Sequence, residues 1–151
     1  MSSISNDNYQ PKTDTLVPFS IEKTAIRGRI VRLDHTLKDI LTPHNYPDPL
    51  GFYLSEGLLL NALMGGMMKH DGIFTLQIVG DGIISTMVTD FTHDGELRGQ
   101  ITYKSNGLDD LANNQELQSF KDFIGQGHLV LSVHGTDTTT QYQGIVGWNR
   151  P

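Results

Sequence analysis

The sequence predicts an α+β domain: a mixed, largely antiparallel sheet with a buried central helix and short flanking helices. Three observations carry that expectation. Residues 72–103, GIFTLQIVGDGIISTMVTDFTHDGELRGQITY, read as three strands joined at Gly80-Asp81-Gly82 and His93-Asp94-Gly95, where Asp-Gly pairs supply the positive φ of compact hairpin turns. Residues 50–69, LGFYLSEGLLLNALMGGMMK, are apolar on nearly every helical face, which marks a helix enclosed by other elements. The order of helical and extended stretches is too irregular for repeating βαβ units.

Residues 1–18 are rich in Ser, Asn, Asp, Thr and Pro and poor in large apolar groups, so they are expected to form a flexible tail ahead of a folded core at 19–151. Residues 25–33 (AIRGRIVRL) predict a strand with Arg27, Arg29, Val31 and Leu33 on one face and Ile26, Gly28, Ile30 and Arg32 on the other. Both faces are mixed, which places the strand near a sheet edge, where solvated charges discourage further pairing. Asp34 is positioned to cap a short helix over residues 35–41, with Leu37, Ile40 and Leu41 on one side. Pro43 should end it, and the three prolines of PHNYPDP argue against regular structure there. In the long helix, Gly65-Gly66 costs about 1 kcal/mol per glycine relative to alanine, and close approach of a neighbouring strand is the expected reason. Leu60→Asp is expected to prevent folding, as an unpaired charge inside the core. Met64, Met67 and Met68 read as core filling ahead of an adaptable methionine surface.

Within the three-stranded meander, Leu97, Gly99, Ile101 and Tyr103 alternate with Glu96, Arg98, Gln100 and Thr102, so one face of that strand is dry and the other wet. The first two strands carry apolar residues on both faces, which predicts cover on both. After a polar loop at 104–114, Leu117, Phe120, Phe123 and Ile124 predict a short amphipathic helix stopped by Gly125. A hairpin of residues 128–134 and 141–148 completes the chain.

At 151 residues the chain can bury a sizeable core without disulfides or metal, and it has no cysteine, which excludes thiol catalysis, disulfide switching and zinc–thiolate sites from it. Eleven Lys and Arg against seventeen Asp and Glu give a net charge of −6, which weighs against a nucleic-acid partner. No apolar run is long enough for a membrane span, and the polar N-terminus has no secretion signal, so a cytoplasmic location is expected. Nucleotide-binding glycine loops, nucleophile elbows and metalloprotease motifs are all missing. His128 and His134 share a strand face but lie about 20 Å apart at strand rise, too far to share a metal. No catalytic, cofactor or metal residue is therefore assigned, and the chain is not expected to be an enzyme.

The strings AIRGRIVRLD, LGFYLSEGLLLNALMGGMMKHDGIFTLQIVGDG, DGELRGQI, GQGHLVLSV and QYQGIV occur in an order that resembles the bacterial 33 kDa chaperonin family, heat-shock protein 33. They span residues 25–146. The resemblance implies ATP-independent capture of unfolding proteins under oxidative or heat stress, and assembly as a homodimer. It covers only the family's N-terminal α+β part; the C-terminal zinc domain with its four cysteines, which carries the redox switch, is not matched here, so no cofactor is expected. Phe74, Leu76, Ile78 and Met87 are the candidate surface for clients or dimerisation, set against the plainer reading that all four are core. The alternative is a nucleic-acid or ribosome-associated module using the Arg27/Arg29/Arg32 strand with Lys104, whose binding would weaken steeply with salt.

Overall fold

A computed structural model describes residues 13–69, 71–107, 119–136 and 141–149, and arranges two antiparallel sheets about one helix. β1 (Thr15–Ser20) and β2 (Arg27–Arg32) form a two-stranded ribbon with Thr15 opposite Arg32 and Ser20 opposite Arg27. α1 (His35–Leu41) runs into a 3-10 turn, Thr42–His44, and then α2 (Asp48–Gly65) crosses the main sheet. That sheet contains β3 (Gly72–Gly80), β4 (Ile84–Thr92), β5 (Leu97–Tyr103), β6 (Gly127–Gly135) and β7 (Gln141–Trp148), in the spatial order β5-β4-β3-β6-β7. α3 (Phe120–Ile124) leads into β6. Every strand pairing among the described residues is antiparallel.

The meander and the final hairpin stand where the sequence places them, and the central helix ends at Gly65 rather than at Lys69, so Gly65-Gly66 closes it instead of lying in its interior; four further details differ. Residues 15–18 are strand, not tail, because Thr15 to Pro18 pair with Arg32 to Arg29 on β2. α2 begins at Asp48, with Pro49 in its first turn, where a missing N–H costs nothing, so the proline-rich segment is partly helical. Positive φ is found at Gly95 but at neither Gly80 nor Gly82. Those two are glycine because a Cβ would stand 2.0 Å from the Ile124 carbonyl oxygen and 2.4 Å from that of Phe123. The second face of β3 and β4, carrying Ile73, Gln77, Val79 and Val88, stays partly exposed rather than covered.

The cap of α1 also comes from elsewhere. Asp34 makes no cap bond; instead its backbone N–H and that of Thr36 donate to the Asp14 carboxylate at 2.6 and 3.3 Å, while the Asp34 side chain pairs with Lys38 at 2.9 Å. The hydrogen bond and charge of Lys38 hold the Asp34 carboxyl below its usual range. Losing a cap costs about 1 kcal/mol, so Asp14→Ala is expected to lower the melting temperature by about 3 °C, measured by circular dichroism. No change in melting temperature would mean that Asp14 holds nothing.

The core lies between α2 and the sheet. Leu50, Leu54 and Leu58, spaced by four, are fully buried with Leu76, Ile84, Met87, Ile101, Phe123 and Ile124 around them. Burying each leucine contributes about 2 kcal/mol. Tyr53 meets Phe120 and Phe123 edge-on at centroid distances of 5.0 and 5.1 Å, which anchors α3 to α2. Asn61, on the same buried side, donates to the Thr89 hydroxyl at 2.8 Å and fixes where α2 sits along β4.

Candidate functional site

α2 is covered on one side only. Its buried residues include Leu50, Leu54, Leu58 and Ala62, yet Phe52 is 61% and Leu60 47% exposed, and Met67, just past its end, is 52% exposed. The expectation of a helix enclosed all round is corrected here: apolar residues ring the helix, but the sheet reaches only part of that ring. Leu60→Asp accordingly puts its charge into water rather than into the core.

Two hollows open along the uncovered flank. The first, about 170 Å³, is bounded by Tyr53, Glu56, Gly57 and Leu60 of α2 and Phe120 of α3, with Leu76, Ile78 and Met87 of the sheet beneath. The second, about 280 Å³, lies a helical turn further on, where Met64, Met67 and Met68 face Phe74 and Val133. Burial pushes the Tyr53 phenol upward, with Glu56 and Asp122 adding to the shift, so it is a neutral hydrogen-bonding group at the rim at neutral pH. At the far end Asp71 pairs with His93 at 3.0 Å.

The four sequence candidates are thereby placed. Phe74, Leu76, Ile78 and Met87 all lie on the α2 side of the sheet and line the two hollows, but Phe74, Leu76 and Met87 are buried and Ile78 is partly so. They are core residues that floor a groove, whose accessible walls are Leu60, Met64, Met67, Met68 and Phe120. Leu60 reads as core, and the three methionines as core ahead of surface, because the helical run shows no polar stripe; the spacing 53, 56, 60, 64, 67 is the signal that marks one flank. Further exposed apolar side chains lie on the edge strand β7, at Tyr142, Ile145 and Val146, and on the ribbon, at Val17, Phe19, Ile26 and Ile30.

The basic residues do not converge. Arg27 and Arg29 share one face of the ribbon and Arg32 takes the other. Lys104 sits by the β3–β4 turn, its ammonium donating to the Asp81 carbonyl at 2.8 Å, whereas the ribbon meets the opposite end of α2 through Leu16 and Gly66. Among the described residues no three His, Asp or Glu side chains gather to hold a metal ion. The sequence contains no cysteine, so a thiolate zinc site is not available to it. No helix among the described residues is long and apolar enough to cross a membrane.

Comparison with known proteins agrees with this architecture. The sequence model of the family described as "Hsp33 protein" matches residues 14–150. A 33 kDa chaperonin of Caulobacter vibrioides is 30% identical over 132 residues, covering 87% of this chain and 44% of the relative. That of Salmonella typhimurium is 33% identical over 137 residues, covering 91% and 44%. The chain thus spans somewhat under half the length of the curated relatives it matches. A crystal structure of the 33 kDa chaperonin (heat shock protein 33 homolog) from Thermotoga maritima superposes with a TM-score of 0.72 at 20% identity, over 90% of this chain and 46% of that one, which establishes the shared fold.

Proposed function

Because the chain belongs to the Hsp33 family, we propose that it is the client-holding part of an ATP-independent holdase, which binds unfolding proteins under oxidative or heat stress and assembles as a homodimer. The observation that carries this reading is the uncovered flank of α2. A helix that is core on one side presents Leu60 and Met64 on its flank, with Met67 just past its end, beside hollows sized for single side chains. Unfolding proteins expose scattered apolar side chains without a shared sequence, and shallow hollows walled by leucine and adaptable methionine accept them without strict shape demands. Phe74, Leu76, Ile78 and Met87 serve as the rigid floor beneath those side chains. Neither metal nor cofactor takes part.

The test is light scattering of a heat-unfolding client protein with and without this chain, alongside sedimentation of the chain alone. The expected result is suppression of aggregation at severalfold molar excess, indifferent to ATP and to moderate salt, with a dimer at high concentration. No suppression together with a strictly monomeric species would show that the chain has the family's fold without its activity.

A further inference from the structure

The chain's described sulfur is concentrated at one place. Met67 N–H donates to the Met64 carbonyl at 3.0 Å and Met68 N–H to that of Gly65 at 2.9 Å, so the end of α2 tightens and brings the three methionine side chains to one hollow. Gly65 and Gly66 lie against Phe91 and Leu16, and the three methionines line the hollow opposite Phe74 and Val133. Met67 is 52% exposed and Met64 and Met68 are half-buried, whereas Met87 is 2% exposed. With no cysteine to compete for oxidant, these thioethers are the accessible sulfur of the described chain.

We propose that Met64, Met67 and Met68 form an oxidant-responsive site in which hydrogen peroxide converts the thioethers to sulfoxides and turns the hollow from apolar to polar. In each step the peroxide O–O bond breaks and one oxygen forms the S=O bond. Sulfur gives up two electrons, and the reduced peroxide leaves as water. The sulfoxide oxygen is a strong acceptor that holds water, so a hollow walled by three of them no longer favours an apolar side chain. Met87 is shielded beneath α2 and is spared. What normally fills the hollow rests on the client-holding reading above, but the chemistry of the site does not. Oxidation makes the hollow polar, and reduction of the sulfoxides restores its apolar lining.

The experiment treats the chain with dilute hydrogen peroxide and follows oxygen addition by mass spectrometry of the tryptic peptides 39–69, which hold the cluster, and 70–98, which hold Met87. In parallel, the fluorescence of an anilinonaphthalene sulfonate dye reports apolar surface. The cluster peptide is expected to gain oxygen at least about tenfold faster than the Met87 peptide. Dye fluorescence is expected to fall with it and to recover when methionine sulfoxide reductases are added. Simultaneous Met64→Leu, Met67→Leu and Met68→Leu substitution should leave dye binding in place and insensitive to peroxide. Equal oxidation of the two peptides in the unaltered chain, unchanged dye binding after full oxidation of the cluster, or an equally sensitive leucine variant would overturn the proposal. Both readouts work without a client, so a chain that switches its dye binding but holds no client would refute the holdase reading and leave this one standing.

Discussion

Leu58→Asp is expected to leave the chain unfolded at room temperature, while Leu60→Asp, two residues on, yields a folded domain with a melting temperature within a few degrees of the parent. Two residues rotate a helix by about 200°, which carries a side chain from the sheet to the water. Leu58 is fully buried and its Cδ2 methyl lies against Gly99 of β5. An aspartate there loses about 2–5 kcal/mol of leucine packing and adds several more for an unpaired carboxylate, against a total of about 5–15. Leu60 is 47% exposed, so its aspartate keeps its hydration. Circular dichroism and urea titration of both variants make the comparison, and an unfolded Leu60→Asp would show that the flank of α2 is covered in solution. The same variant reads function: folded but with a charge in the groove wall, it should suppress client aggregation less well than the parent.

How the sequence led to this contrast, and where it stopped, follows from what each pattern encodes. Residues 72–103 declared their strands because alternation and Asp-Gly turns are local signals, and Phe74, Leu76 and Ile78 were grouped on one face for the same reason. Which face α2 would cover was not legible, since Ile73, Val79 and Val88 make the other side apolar as well. The exposure of Leu60 was hidden by the leucine-rich helix: a ring of apolar residues is compatible with cover on every side, and only the reach of the sheet decides how much is met. Asp14 was invisible as a cap because it acts on α1 across twenty residues of chain. β1 was lost in a polar tail because its partner, β2, gives it its hydrogen bonds, while Val17, Pro18 and Phe19 remain exposed and leave little hydrophobic pattern to detect.

Gly65→Leu is expected to destabilise the domain by about 3 kcal/mol and to lower its melting temperature by about 6–12 °C. A Cβ at this position would lie 2.5 Å from Cδ1 of Phe91 and 2.9 Å from its Cγ, well inside van der Waals contact. Phe91 has little room to yield: it is buried, and on β4 it stands between Phe74 of β3 and Leu97 of β5. Leucine's better helix propensity returns close to 1 kcal/mol, which is too little to offset the displaced helix end. The sign of the net effect is therefore set by the ring, and the sequence's expectation of a strand close by is met through a strand's side chain rather than its backbone. Phe91→Ala alone removes a buried aromatic and is itself destabilising by about 3–5 kcal/mol. In the double variant, however, the new leucine has the vacated space to enter, so the two costs should fall short of their sum by at least about 1 kcal/mol. Urea denaturation of the parent, both single variants and the double variant closes the cycle. Additive costs would mean that Gly65 and Phe91 do not meet and that the tight seating of α2's last turn, on which the methionine hollow depends, has some other cause.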